Sequence, residues 1–112
     1  MAKAEEFLDN AELLADDPGR RNASASLFVD AGIAASDVLC CAALGEHASG
    51  QDHNEAVALL AQVDDDASKR LRTLLVNKAK ISYSADPLPA AEFRKVARAA
   101  AHLIELARTV RR

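Results

Sequence analysis

Two aspartates, Asp30 and Asp37, interrupt an alanine-rich and otherwise uncharged stretch of the chain, residues 22–45. They lie seven positions apart, so a helix would place both carboxylates on one face. A carboxylate in an apolar setting is costly unless a partner or water meets it. The stretch therefore predicts a largely buried helix whose aspartates each need a partner or a wet cavity. For Asp30 the sequence leaves Arg20, Arg21 and the basic residues of later helices open as partners.

Lys78 interrupts a second apolar stripe and is the predicted partner of Asp37. An ion pair between the two helices would satisfy both charges, with Ser36 or Tyr83 offering hydrogen bonds. The alternative is that Asp37 and Lys78 line a polar pocket for a ligand. We favour the ion pair because buried charges are usually paired.

Arg98 and His102 lie four positions apart and would share one face of a helix. A histidine of near-neutral pKa could cleave RNA by acid–base chemistry while the arginine stabilises the phosphate charge. The competing interpretation is a charged solvent-exposed stripe shared with Arg94, Glu105 and Arg108. Helical surfaces routinely carry such stripes, and we favour that interpretation.

His53 follows Asp52, which reads as the N-cap of a short helix, so capping or packing is favoured over ligand binding. Cys40, Cys41, His47 and His53 together suggest zinc. Their spacing matches no standard finger, however, and adjacent cysteines on a helix point about 100° apart. No metal is therefore expected. No cofactor is expected either, because the chain has no glycine-rich phosphate loop and no nucleophile elbow.

The elements that must position these residues are helical. Only 4% of the 112 residues are aromatic, and no stretch alternates cleanly between apolar and polar residues, which argues against a sheet. Asn22 is the predicted N-cap and Gly45 the predicted C-cap of the central helix. The sequence predicts one all-α domain over residues 1–112, an antiparallel up-and-down bundle of four to five helices. The predicted helices cover residues 2–16, 22–45, 53–62, 65–83 and 89–110.

Charge is divided unevenly along the chain. Residues 1–66 hold 3 Lys/Arg against 14 Asp/Glu, whereas residues 67–112 hold 11 against 3. Oppositely charged helices that pack together, within or between subunits, are the favoured explanation, and a basic face for RNA is the alternative. The N-terminus lacks a signal peptide, no apolar run approaches the ~20 residues of a spanning helix, and adjacent cysteines suit a reducing compartment. We expect a cytoplasmic protein with no membrane partner.

Two segments carry a family resemblance. Residues 31–60, AGIAASDVLCCAALGEHASGQDHNEAVALL, combine a small-residue helix, a polar loop, a histidine and a short helix that ends in Leu-Leu. Residues 78–83, KAKISY, place a basic residue and a tyrosine ahead of an alanine-rich final helix. In this order and spacing they resemble the HEPN family of small helical-bundle domains, and the resemblance covers most of the chain after residue 22.

The resemblance implies a bundle that often dimerises. Family members include metal-independent RNases of toxin–antitoxin and phage-defence systems, and also non-catalytic RNA- or nucleotide-associated domains. Members often occur beside nucleotidyltransferases. The RNases carry an arginine, then four to six residues, then a histidine, often with a polar residue directly after the arginine.

This chain departs from the RNase motif. Arg21 and Asn22 supply the arginine and polar residue, but no histidine follows within seven residues. Arg98 and His102 are separated by only three residues. Ser82 also stands where an acidic residue is usual before the tyrosine. The departures predict a helical bundle that has the family's fold without its catalytic motif.

The function predicted from these observations is a non-catalytic HEPN-like interaction or binding module in a toxin–antitoxin or defence setting. It would form a homodimer through the smooth face of the central helix made by Ala31, Gly32 and Ala35, with a toxin, a nucleotidyltransferase, RNA or a nucleotide as a further partner. The alternatives are a divergent RNase toxin that uses Arg98 and His102, and an accessory subunit of a nucleotidyltransferase. The residues proposed for a polar binding pocket are Asp37, Lys78, Tyr83, His53, Arg21 and Asn22.

Overall fold

The chain folds into helices packed around one central helix. A computed structural model describes residues 1–48, 52–84 and 86–110, and all of the secondary structure in these ranges is helical. The all-helical class and the five helices predicted from periodicity are confirmed, and the helix contacts are consistent with a bundle. The elements are α1 (Ala2–Leu14), a 3-10 turn (Pro18–Arg20), α2 (Arg21–Leu44), α3 (His53–Ala61), α4 (Asp65–Tyr83) and α5 (Ala90–Val110).

Local chemistry sets the end of α2 and the starts of α3 and α4. Gly45 ends α2 with φ at 74°, a left-handed conformation that favours glycine. Asp52 caps α3 through its Oδ1, which accepts from Glu55 N at 3.1 Å. Asp64 caps α4 in the same way. These aspartates satisfy backbone N–H groups that a helix start otherwise leaves without partners.

Helix α2 lies at the centre of the core because one of its faces carries only small residues. Ala31 and Ala35 are fully buried, and a Cβ added to Gly32 would lie 2.1 Å from Leu74 Cδ1 and 3.6 Å from Ala100 Cα. Helices α4 and α5 therefore approach α2 more closely than larger side chains would permit. The smooth face of α2 packs against helices of its own chain.

Two contacts across helices join the acidic and basic halves of the chain. Arg108 on α5 donates from Nε and Nη2 to both carboxylate oxygens of Glu5 on α1, each at 2.8 Å. His102 Nε2 on α5 lies 3.4 Å from Asp66 Oδ2 on α4. These two contacts support the interpretation that oppositely charged helices pack together within one subunit.

One segment meets the length and apolarity criteria for crossing a membrane. A window of 18 residues within residues 18–44 has a mean hydropathy of 1.8, so the expectation that no apolar run approaches the length of a spanning helix does not hold by composition. The segment is largely α2, whose small-residue face is buried in the core, and core helices pass the same test. The cytoplasmic location stays a prediction.

Candidate functional site

Three of the predicted pocket residues line one cavity. Asp37 on α2, Lys78 on α4 and His53 on α3 surround a space of about 80 Å³, which we call the α2–α3–α4 cavity. It lies where three helices meet, so each helix supplies one of its charged or polar side chains. The other lining residues are Ile33, Ser36, Cys40, Ala48, Asp52, Ala56, Leu71 and Leu75.

The predicted direct ion pair between Asp37 and Lys78 does not form. Among the described residues, neither side chain takes part in an ion pair within 4 Å. Lys78 also lines a second, smaller space with Asp30, and Asp30, Asp37 and Lys78 all line a third space beside α1. Of the two interpretations left open by the sequence, the arrangement matches the one in which Asp37 and Lys78 line a pocket.

Both carboxylates of α2 are half-buried, and burial affects their ionisation. Burial raises the pKa of Asp37, while the positive charges of His47 and Lys3 offset part of the effect. Burial likewise raises the pKa of Asp30, against the opposing charges of Lys78 and Lys3. For Asp30, the basic residues that act on it are therefore Lys78 and Lys3 rather than Arg20 or Arg21. The folded state disfavours the charged form of each aspartate.

Replacing Asp37 or Asp30 with asparagine is expected to stabilise the fold at neutral pH. A raised pKa means that the folded state binds the proton more tightly than the unfolded chain, so stability falls as pH rises from the ordinary value of 3.8 through the raised pKa. The free energy of unfolding of each variant should exceed that of the wild type at about pH 7, and the difference should disappear at about pH 4. Thermal unfolding measures it, with the exposed Asp9→Asn as control. Variants less stable than the wild type at neutral pH would contradict this account.

The cavity wall contains a buried thiol and a buried hydroxyl. Burial, followed by the nearby Asp37 charge, raises the pKa of Cys40 to about 11, so its thiol is protonated and unreactive at neutral pH. Cys41 is exposed, and both cysteines are free. Ser36 is 4% exposed and its Oγ donates to Gly32 O at 2.9 Å, which leaves the oxygen able to accept a further hydrogen bond.

A metal centre has no ligand set in the part of the chain that the structure describes. Within residues 1–48, 52–84 and 86–110, no three His, Cys, Asp or Glu side chains come together in a way that could hold an ion. Of the four residues that suggested zinc, Cys40 and His53 line the α2–α3–α4 cavity, while Cys41 does not.

Arg21 and Asn22 lie outside the cavity and have a structural role. Arg21 Nη1 donates to Leu88 O at 3.3 Å, and Asn22 Oδ1 accepts from Leu88 N at 2.8 Å. The pair thereby holds the segment between α4 and α5 against the start of α2. Asn22 was wrongly predicted as the N-cap of α2: the helix begins at Arg21, and the asparagine side chain serves the Leu88 backbone instead.

Tyr83 also lies away from the cavity. It is the last residue of α4 and its side chain is 88% exposed, so it offers no hydrogen bond to Asp37 or Lys78. Val76, one of the larger exposed apolar side chains, lies seven positions earlier and is 58% exposed. Seven positions place Val76 and Tyr83 on the same outward face of α4.

A wide groove beside Val76 was missed in the sequence. This α3–α4 groove has a volume of about 680 Å³ and runs between the two helices towards the start of α5. Its sequence signal was Val76, an apolar residue outside the buried stripe of α4. The lining residues are Asn54, Val57, Ala58, Ala61, Asp65, Ser68, Lys69, Arg72, Thr73, Val76, Asn77, Glu92 and Lys95.

Asn77 is the unusual residue of the groove. It is 3% exposed, and its Nδ2 donates to Thr73 O at 2.9 Å. Its Oδ1 is buried and has no hydrogen-bond partner among the residues that the structure describes. A buried acceptor without a donor costs about 1–3 kcal/mol. The single chain therefore carries an unfavourable polar atom beneath the groove.

Replacing Asn77 with leucine is expected to leave the isolated chain equally stable or up to about 1 kcal/mol more stable, because a buried unpaired acceptor is removed. Urea unfolding at low protein concentration measures the change. Asn10→Leu is the matched control, since Asn10 makes the same bond to a carbonyl four residues back but is exposed. A loss of more than about 1 kcal/mol in Asn77→Leu would mean that its oxygen has a partner.

Arg98 and His102 share the outward side of α5 without forming an enclosed site. His102 lies beside Asp66 at the start of α4, and Arg98 is exposed. Neither residue lines the α2–α3–α4 cavity or the α3–α4 groove. Their setting is that of a charged surface stripe, to which Arg94, Glu105 and Arg108 also belong.

No protein-family model, curated protein or solved structure matches this chain. The resemblance to the HEPN family is therefore one of the two sequence segments alone.

Proposed function

We propose that the chain is a non-catalytic, HEPN-like interaction module, an antiparallel up-and-down bundle that forms a homodimer through the outer face of α4 and the adjoining α3–α4 groove. The observation that carries this proposal is the exposed apolar pair Val76 and Tyr83 on one face of α4, of which Val76 also lines the groove. Exposed apolar side chains on a surface that adjoins a concavity are typical of protein–protein contact sites.

The size of this surface sets how much of the molecule a dimer must cover. Helix α4 has 19 residues and is therefore about 28 Å long, which gives a projected face of about 300 Å² at a helix diameter of about 10–12 Å. A stable interface buries roughly 800 Å² per partner, so the groove walls on α3 and α5 would have to be covered as well. Tyrosine is also among the residues that contribute most to binding energy when they are buried at an interface.

The outer face of α4 replaces the dimer surface expected from the sequence. The smooth face of α2 is already buried against Leu74 and Ala100 of the same chain, so it is not available to a second copy. Helix α2 needed a closely packed neighbour, as its small residues predicted, but that neighbour belongs to its own chain.

The charges around the groove are compatible with self-association. Lys69 lies 3.4 Å from Asp65, and Lys95 lies 3.4 Å from Glu92, so two of the basic side chains are already paired within the chain. A two-fold dimer brings identical surfaces together. Pairing within each copy lowers the repulsion that unpaired lysines would otherwise cause.

Light scattering over a range of protein concentrations tests the dimer. We expect the mass to rise from that of one 11.9-kDa chain towards twice that value as concentration increases. A mass of one chain at the highest soluble concentration would contradict the dimer while leaving the fold intact.

The non-catalytic part of the proposal is supported by the surroundings of Arg98 and His102. An RNase that works by acid–base chemistry needs a site where both groups reach one phosphate, and these two side chains lie on an open helix surface. We expect purified protein to leave varied RNAs intact and expression to cause no growth arrest. Cleavage that is lost in His102→Ala with the fold preserved would establish the RNase alternative instead.

The partner classes implied by the resemblance are a toxin or a nucleotidyltransferase, in a toxin–antitoxin or defence system. Such a partner would bind the dimer on a surface outside α4. If a toxin or nucleotidyltransferase still co-purifies with a variant that no longer dimerises, this arrangement is supported. If it co-purifies only with the dimer, the partner binds at α4.

A further inference from the structure

The α2–α3–α4 cavity combines opposite charges, a buried hydroxyl and an apolar floor in a small space. Asp37 and Lys78 both line it, yet no ion pair joins them within 4 Å among the described residues. Two opposite charges that line one cavity without meeting leave a gap that a small molecule with both charges can bridge.

One part of the cavity is suited to an ammonium group. The Asp37 carboxylate is half-buried, and Ser36 Oγ, 4% exposed, has already donated its proton to Gly32 O. Both oxygens can therefore accept hydrogen bonds. The second lining carboxylate, Asp52, uses its Oδ1 to cap Glu55 N, so Asp37 is the carboxylate with more free acceptor capacity.

Another part is suited to a carboxylate. Lys78 carries three donors on a positive charge, and His53 adds a ring nitrogen from α3. Ile33, Leu71 and Leu75 supply the hydrocarbon part of the lining. Charge-assisted hydrogen bonds in such a partly desolvated space are stronger than neutral ones.

The volume limits the size of the occupant. About 80 Å³ corresponds to roughly five to eight water-sized probes at about 10–15 Å³ each. That is room for a molecule of about six non-hydrogen atoms, the size of the smallest amino acids. A larger side chain would collide with the apolar floor.

We propose that the α2–α3–α4 cavity binds a small aliphatic amino acid as a zwitterion, with its ammonium group on Asp37 and Ser36 and its carboxylate on Lys78 and His53. The site is separate from the outer face of α4 and does not depend on dimer formation. Binding also relieves the unpaired charges, since each charged group of the ligand meets its opposite.

Titration followed by ¹H–¹⁵N NMR spectroscopy of the whole chain tests the proposal, with glycine, alanine, propylamine, propionate and phenylalanine as probes. Propylamine lacks the carboxylate, propionate lacks the ammonium group and phenylalanine exceeds the volume. We expect saturable shifts at residues 33–40 and 71–78 with glycine and alanine, and affinity at least about tenfold weaker for the other three. Equal binding of propylamine or propionate would overturn the zwitterion, and no saturable shift with any probe would mean that only water occupies the cavity.

Variants locate the binding. Asp37→Asn and Lys78→Gln should each weaken alanine binding by at least about tenfold. Asp9→Asn is the control, because it removes the same charge from an exposed position that lines no part of this cavity. If Asp9→Asn weakens binding as much as Asp37→Asn, the loss follows from the change in net charge and the assignment to the cavity is wrong. Unfolding curves of each variant separate a lost site from a lost fold.

Discussion

Replacing Gly32 with alanine is expected to destabilise the natural chain and to stabilise a chain in which Leu74 is already alanine. The added Cβ would lie 2.1 Å from Leu74 Cδ1, and Leu74 is fully buried, so relieving the clash requires its side chain to repack within the core. Overpacking of this kind costs about 1–3 kcal/mol, whereas alanine gains about 1 kcal/mol over glycine within a helix. The net loss is up to about 2 kcal/mol.

The sign reverses once the obstructing methyl group is removed. Leu74→Ala alone should cost about 2–5 kcal/mol through the cavity it creates. Adding Gly32→Ala to that variant then fills space and gains helix propensity, about 1 kcal/mol. Urea unfolding of the four proteins gives the coupling energy between the two sites. Ala42→Gly is the control: Ala42 lies on the exposed side of α2, so its effect should add to that of Leu74→Ala. If the effects of Gly32→Ala and Leu74→Ala also add, the close approach of the two helices is wrong.

Much of the fold follows from periodicity, and Gly32 shows where that approach ends. The small residues at positions 31, 32 and 35 correctly predicted that another helix packs closely on α2. Spacing along one helix says nothing about which chain supplies the neighbour, so the same face was expected to form a dimer. The structure places Leu74 and Ala100 of the same chain there.

The candidate site shows a second limit of sequence reasoning. Charges that interrupt apolar stripes predicted that Asp37 and Lys78 meet in space, and they do line one cavity. Whether they touch depends on offsets between helices of a few ångströms, which a repeat of 3.6 residues does not fix. Tyr83 was misplaced because it ends α4 on the outward face, and that direction depends on how the whole helix packs.

Replacing Val76 with lysine is expected to weaken the proposed homodimer by at least about thirtyfold, the equivalent of a residue worth about 2 kcal/mol at an interface. The new charge would lie beside Arg72, one turn away, and would meet the same lysine and Arg72 on the second copy. Because Val76 is 58% exposed, the stability of the single chain should change by no more than about 0.5 kcal/mol. Sedimentation equilibrium measures the dissociation constant.

Leu13→Lys is the matched control for this variant. Leu13 is 79% exposed and lies on α1, outside the lining of the α3–α4 groove. The same substitution there adds the same charge and removes a similar apolar surface, yet should leave the dimer unchanged. A stronger effect at Leu13 than at Val76 would place the contact surface on α1.

In the proposed dimer, two copies meet at the outer face of α4. Isotope-filtered NOE spectroscopy detects this contact on a mixture of labelled and unlabelled chains, at a concentration where light scattering shows the dimer. We predict intermolecular contacts to the Val76 methyl groups and the Tyr83 ring, and none to Leu13 or Val110. Intermolecular contacts to Leu13 or Val110, with none to Val76 or Tyr83, would show that the copies meet elsewhere.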